Sequence, residues 1–317
     1  MAVNLYIFNS KILMKKFVSY LFFVLVGVIS VDALFSFCME KVAFKVIPPI
    51  IGETNDSSSE IVIIGASRAI RHYNSFLLSD SLHCSVSVLG AASQNIYFHY
   101  ATLNILLNHT KKSPNLVLLE VAPVDVYDFP NHNKEKLSFL FPYFNTETAV
   151  KNLLTDVLEK KELLMIYSGL YRYNSRVFPY IWNAMRGKQE SVVDGFLPLK
   201  NVWKAPIKEE DNYGRIDTAK IRYFDKFADI CMREKIKLVF VSSPSYKILH
   251  RQIWKEKIRM IAQEHQIPFI DYEQDSTFLE HREWFYDPYH LNEIGANVYS
   301  ILIAKDLKRI IAQKDNQ

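Results

Sequence analysis

One apolar stretch interrupts the mixed pattern near the start of the chain. Residues 17–37 read FVSYLFFVLVGVISVDALFSF, with Asp32 the only charge. About 20 predominantly apolar residues suffice to cross a bilayer. Lys11, Lys15 and Lys16 precede the run, and Lys41 and Lys45 follow it. That bias points the N-terminal end to the cytoplasm. The expected order is therefore a cytoplasmic stretch (1–16), a transmembrane helix (17–37) and a connector (38–58). A cleaved signal peptide is one alternative, with Val31-Asp32-Ala33 a poor cleavage site. A buried core helix is another. The anchor is favoured, because the run stands well ahead of the first strand signal and behind a lysine cluster. Anchor and signal alike put the remaining chain outside the cytoplasm, as a single-pass protein of the cell membrane.

From residue 59 the pattern changes. Ile61-Val62-Ile63-Ile64-Gly65 is a short β-branched run ending at glycine, the mark of a strand buried on both faces. Similar runs recur at 85–89, 116–121, 237–242 and 267–271. Helical stretches are expected at 96–107, 217–234, 253–265 and 291–311. Within the second of these, Ile221, Phe224, Phe227, Ala228 and Ile230 repeat near the helical period. Alternating strands and helices predict an α/β fold, with a five-stranded parallel sheet between two helical layers. Residues 126–215 break the rhythm. They are helical and rich in aromatics (Tyr167, Tyr171, Tyr173, Tyr180, Trp182), and read as an insertion placed to roof a cleft.

Composition narrows the function. Hydrophobic residues make up 49% and charged residues 23% of 317, which is globular and excludes a disordered chain. The net charge of +4 is scattered, so no nucleic-acid footprint is expected. Cys38, Cys84 and Cys231 form no CxxC pair, which argues against structural zinc and a disulfide framework. His281, Glu283, Asp287 and His290 lack a recognised metal-ligand spacing. No metal or cofactor is expected.

Two short stretches carry candidate chemistry. Gly65-Ala66-Ser67-Arg68 ends the first strand, where open α/β sheets bind ligands. The plain alternative for Ser67 is a helix N-cap. Asp287-Pro288-Tyr289-His290 follows the last strand, and its plain alternative is an Asp-Pro turn before an N-capping Asn292. Taken together they are more specific, since a serine hydroxyl needs a base, and that base needs a carboxylate to orient it. Arg68 and His72 read as solvated helix residues rather than binders of an anionic or sugar group.

At these positions the chain resembles the SGNH, or GDSL-like, hydrolase superfamily. Gly65-Ala66-Ser67 is similar to the family's first block, with Ala66 where aspartate is usual, and Asp287-Pro288-Tyr289-His290 matches its D-x-x-H block. The resemblance covers roughly 59–125 and 216–312. It implies a flavodoxin-like three-layer fold and a triad of Ser67 as nucleophile, His290 as base and Asp287 as orienter. It also implies an oxyanion-hole glycine after the second strand, which Gly90 fits. The third block's asparagine is absent from Leu119-Glu120-Val121-Ala122-Pro123-Val124-Asp125, and Asn95 or Gln94 is the expected substitute. The implied activity is ester hydrolysis or acyl transfer on an ester-bearing substrate, such as an O-acylated glycan of the cell envelope. The competing expectations are a non-catalytic scaffold or glycan-binding module, and a structural membrane protein whose aromatic insertion docks a partner.

Overall fold

The computed structural model describes residues 2–46, 59–128, 136–174, 177–186, 195–206, 214–246 and 253–312. The chain forms two compact units. One joins Met1–Ile47 to Leu158–Lys188, and the other joins Pro48–Val157 to Gln189–Gln317.

The first unit opens with α1 (Ala2–Val46). This helix is long and apolar enough to cross a membrane over Leu13–Val42. The predicted connector is corrected in its first part, because residues 38–46 continue α1. The helical pattern runs on through Phe37-Cys38-Met39 and on to Val46, with no glycine or proline to end it. Residues 47–58 of that connector lie outside the described residues.

The second unit begins with β1 (Ile61–Gly65), α2 (Ser67–His72), α3 (Ser75–Leu82), β2 (Val86–Gly90), α4 (Ile96–His109) and β3 (Leu116–Glu120). After α5 (Thr148–Val157) the first unit resumes with α6 (Lys160–Ile166), α7 (Gly169–Tyr173) and α8 (Val177–Arg186). The second unit then completes itself with α9 (Thr218–Arg233), β4 (Lys237–Ser242), α10 (Ile253–Glu264), β5 (Phe269–Asp271), α11 (Ser276–Leu279), β6 (Phe285–Asp287), β7 (His290–Leu291) and α12 (Glu293–Ala312). The helices start where side chains satisfy their orphan N–H groups. Asn74 caps α3, Asn95 caps α4 and Asp217 caps α9.

The sheet order is β2-β1-β3-β4-β5, and every pairing is parallel. This is the flavodoxin-like arrangement, with its switch point between β1 and β3. Side-chain alternation divides the core into two layers. Ile61, Ile63, Leu116, Leu118, Val239 and Val241 pack with Ala69, Tyr73, Leu78, Tyr299 and Ile303 of α2, α3 and α12. On the opposite face, Phe240 meets Phe224 of α9 edge-on at 5.9 Å.

The insertion does not act as one piece: its first part, through α5, stays with the sheet, whereas α6, α7 and α8 belong with α1. Its return, residues 195–206, is a strap across α2 and the end of the sheet. Leu197 N–H donates to Ile70 O at 2.7 Å, and Trp203 N–H to Phe285 O at 2.8 Å. The strap starts at Gly195, whose φ is +84°. A Cβ there would lie 1.9 Å from Val88 O, so only glycine fits.

Candidate active site

Ser67 reaches its position because β1 ends abruptly. A Cβ on Gly65 would sit 2.7 Å from Glu120 Cβ, so glycine lets the end of β1 pass β3 closely. The next residue, Ala66, is the N-cap of α2, and Ser67 is the first helical residue. The hydroxyl therefore does not cap the helix. Its Oγ stands 2.7 Å from His290 Nε2, across 223 positions of sequence.

His290 and Asp287 come from one tight turn between β6 and β7. Asp287 Oδ1 accepts from the N–H groups of Tyr289 (2.8 Å) and His290 (2.9 Å). The same carboxylate holds His290 Nδ1, at 2.9 Å from Oδ2 and 3.0 Å from Oδ1. Burial pushes the Asp287 carboxyl up, but the His290 ring and these two backbone donors outweigh it and hold it below its usual value. An ionised carboxylate only accepts, so the imidazole proton is assigned to Nδ1, and Nε2 accepts from the serine hydroxyl. The turn geometry and the ring orientation thus depend on one side chain. Asn292 caps α12 as expected, its Oδ1 accepting from Gly295 N–H at 3.1 Å.

Beneath this relay lies a second polar chain that sequence reading missed. His72 is fully buried, and Arg68 is 5% exposed, which corrects the expectation that both are solvated. Helix α2 has only six residues, too few to display a periodicity, and it lies under the strap and the Asp287–His290 turn. His72 Nε2 accepts from Leu291 N–H at 3.0 Å. That leaves Nδ1 to carry the proton and donate to Ser243 Oγ at 2.7 Å. Ser243 Oγ donates to Glu120 Oε1 at 2.6 Å, and Tyr73 donates to Glu120 Oε2. Burial, then the charges of His290 and Arg68, push His72 well below the usual histidine value. It is therefore a neutral spacer. Burial raises Glu120 to about 7 against the pull of Arg68 and Ser243. Arg68 in turn reaches Glu273 Oε1 at 3.5 Å, whose other oxygen holds Lys255 at 2.9 Å. The only readable hint of this layer was polar residues at strand ends, Glu120 and Ser242-Ser243.

The expected oxyanion donors lie at the end of β2 and on the loop after it. Gly90 pairs in register with Gly65. A Cβ there would meet Ile70 Cγ2 at 2.8 Å and Gly65 O at 3.0 Å, so the close approach of β2 to α2 requires glycine. Asn95 is 2% exposed and caps α4 through Oδ1, which accepts from Tyr97 N–H at 3.1 Å. Gln94 is equally enclosed. Past β3, Val121 N–H donates to Val241 O, and Ala122 N–H to Asp125 Oδ2. The first of these donors is spent on β4 and the second on the loop's own turn.

No family model matches the chain, and no curated protein matches it. Solved structures do. One is the acetyl xylan esterase AlAXEase, at 14% identity and a TM-score of 0.40, with 79% of this chain and 99% of that one covered. Another is a GDSL-like lipase from Bacteroides thetaiotaomicron, at 13% identity and a TM-score of 0.36, with 79% and 88% covered. A third is LAE5, an alpha/beta hydrolase from the metagenome of Lake Arreo, at 12% identity and a TM-score of 0.40, with 78% and 95% covered.

Proposed function

We propose that the chain is a membrane-anchored serine hydrolase of SGNH type, with its catalytic unit outside the cytoplasm. The observation that carries the reading is the unbroken relay Ser67–His290–Asp287, with both links at 2.7–2.9 Å. In the proposed reaction Ser67 Oγ attacks an ester carbonyl carbon while its proton passes to His290 Nε2. Asp287 stabilises the resulting imidazolium and keeps its orientation. Collapse of the tetrahedral intermediate breaks the bond to the leaving alcohol, which takes the proton from His290 and leaves an acyl-serine. His290 then deprotonates water, or an acceptor hydroxyl, whose oxygen bonds to the acyl carbon; the bond from that carbon to Ser67 Oγ breaks, and Ser67 takes the proton back from His290. The backbone N–H of Ser67, at the first turn of α2 where helical N–H groups have no intrahelical partner, serves the developing oxyanion with Gly90 and Asn95. Each such donor lowers the barrier by about 3 kcal/mol.

The proposed substrate is an O-acylated glycan of the envelope, reached from a site tethered by α1. Tyr286 and Tyr289 are exposed beside the relay and offer aromatic surface to a bulky acceptor. The committed N–H groups of Val121 and Ala122 favour a second reading, a non-catalytic glycan-binding module. Full-length protein in detergent separates the two. A short-chain aryl ester should be hydrolysed by the parent and not by Ser67→Ala, and a serine-directed phosphonate should label only the parent. Equal turnover by both proteins, or an unlabelled Ser67, removes the catalytic reading.

A further inference from the structure

The first unit leaves large apolar side chains exposed while a charged one, Arg172, is buried. In α6 and α7 and the turn joining them, Ile166, Gly169, Arg172 and Tyr173 are buried, while Leu164, Tyr167 and Leu170 are 74%, 59% and 50% exposed. In α8, Phe178 and Met185 are 73% and 77% exposed, with Trp182 stacked on Phe178 at 5.9 Å. Water-soluble helices place Arg172 and these exposed apolar residues the other way round.

The contacts of α7 with α1 set the depth of this segment. Asp32 Oδ1 accepts from Ser168 Oγ and Leu170 N–H, each at 2.8 Å, and Oδ2 accepts from Gly169 N–H at 2.9 Å. Arg172 donates to Ser36 and lies 3.5 Å from Glu40. Gly169 lies so close to α1 that a Cβ would be 2.6 Å from Ser36 Cβ. Asp32 precedes Glu40, the first charge past the apolar run, by eight residues, or about 12 Å of helix. Its carboxylate therefore lies inside the hydrocarbon slab if α1 spans it. An acid there needs donors, and a helix N-terminus there needs acceptors. Asp32 and the start of α7 satisfy one another. At that depth the medium around Leu164, Tyr167 and Leu170 is acyl chain.

We infer that residues 163–174 and 177–185 form a second membrane-embedded element, seated in the leaflet toward which the C-terminal end of α1 points, with Leu164, Leu170, Phe178, Trp182 and Met185 against lipid acyl chains. The inference rests on α1 being the anchor proposed above. It makes the aromatic part of the insertion a lipid contact rather than a protein-docking surface.

The test uses the full chain in phosphatidylcholine vesicles whose acyl chains carry bromine, a contact quencher of tryptophan. The chain has four tryptophans, and Trp182 is the one in this unit. The parent should float with the vesicles and lose one tryptophan's share of emission in brominated lipid. Trp182→Phe should abolish that loss, and Phe178→Trp in the parent background should enlarge it. A parent that floats without quenching overturns the inference and leaves the anchor standing, and a protein-docking surface would behave in this way. Quenching that is unchanged in Trp182→Phe overturns it too. A parent that does not float removes the anchor and the inference together.

Discussion

His72 offers the sharpest perturbation, because its two ring nitrogens serve different partners and two amides can replace them one at a time. Asparagine places its amide near the Nδ1 position and can still meet Ser243, but it is too short to reach Leu291. Glutamine extends to the Nε2 position and can still accept from Leu291 N–H. The N–H of Leu291 is buried and belongs to the residue after His290. Left without an acceptor, such a group costs about 1–3 kcal/mol. His72→Asn should lose about that much stability and also free the backbone beside His290, the proposed base. A shift of about 1 Å at a reacting group can cost on the order of 100-fold in rate, so kcat should fall by about that factor. His72→Gln should lose comparable stability through Ser243, yet keep kcat within several-fold of the parent. Urea unfolding gives the first quantity, and aryl-ester turnover at saturation gives the second. If both variants lose stability and kcat in parallel, His72 is packing alone. If His72→Asn keeps full kcat, the positioning argument is wrong.

Three further outcomes follow from the same geometry. Asp287→Asn keeps a carbonyl for the Tyr289 and His290 N–H groups but turns an amide toward His290 Nδ1. Turnover should drop by about 10⁴, the scale set by the equivalent change in the serine-protease triad, with thermal stability moved little. Asn95→Ala should cost roughly 1 kcal/mol of stability as a lost cap, and should lower turnover as well if the side chain also serves the oxyanion; unchanged turnover would remove it from the hole. The pH dependence has a worked sign. Glu120 takes up its proton in the folded state near 7, above its unfolded value, so its contribution is full at low pH and is lost as pH rises toward 7. His72 is depressed, so its neutral form costs stability as pH falls below its unfolded value near 6.5. From about pH 6.5 to 4.5 the two slopes oppose one another. His72→Gln removes one of them, so its stability relative to the parent should rise by about 1.4 kcal/mol per unit of acidification, read by urea titration. Parallel curves would refute the assignment.

The strands were legible because parallel strands covered on both faces must be apolar throughout, and five β-branched runs met that condition within a residue or two at most boundaries. The catalytic candidates were legible because they sit at strand ends with residue types that have few other uses in combination. His72 and Arg68 were misread for the opposite reason. Nothing in a six-residue helix tells which face is covered, and their burial is set by segments more than a hundred positions away, the strap at Leu197 and the turn at Leu291. Ser243 and Glu120 were equally hidden, since a lone polar residue ending a strand usually meets solvent. The extension of α1 to Val46 was missed because charges at Glu40, Lys41 and Lys45 mark the edge of an apolar run without ending a helix. The association of α7 with α1 uses Asp32, whose partners at 168–170 no local pattern announces.

Helix α2 holds the Asp287–His290 turn at two consecutive residues, by its first side chain to His290 and by its last to the amide of Leu291. A hinge needs one free end, and this turn has none. In the proposed mechanism, a segment that moves to admit a bulky acceptor is therefore one other than this turn.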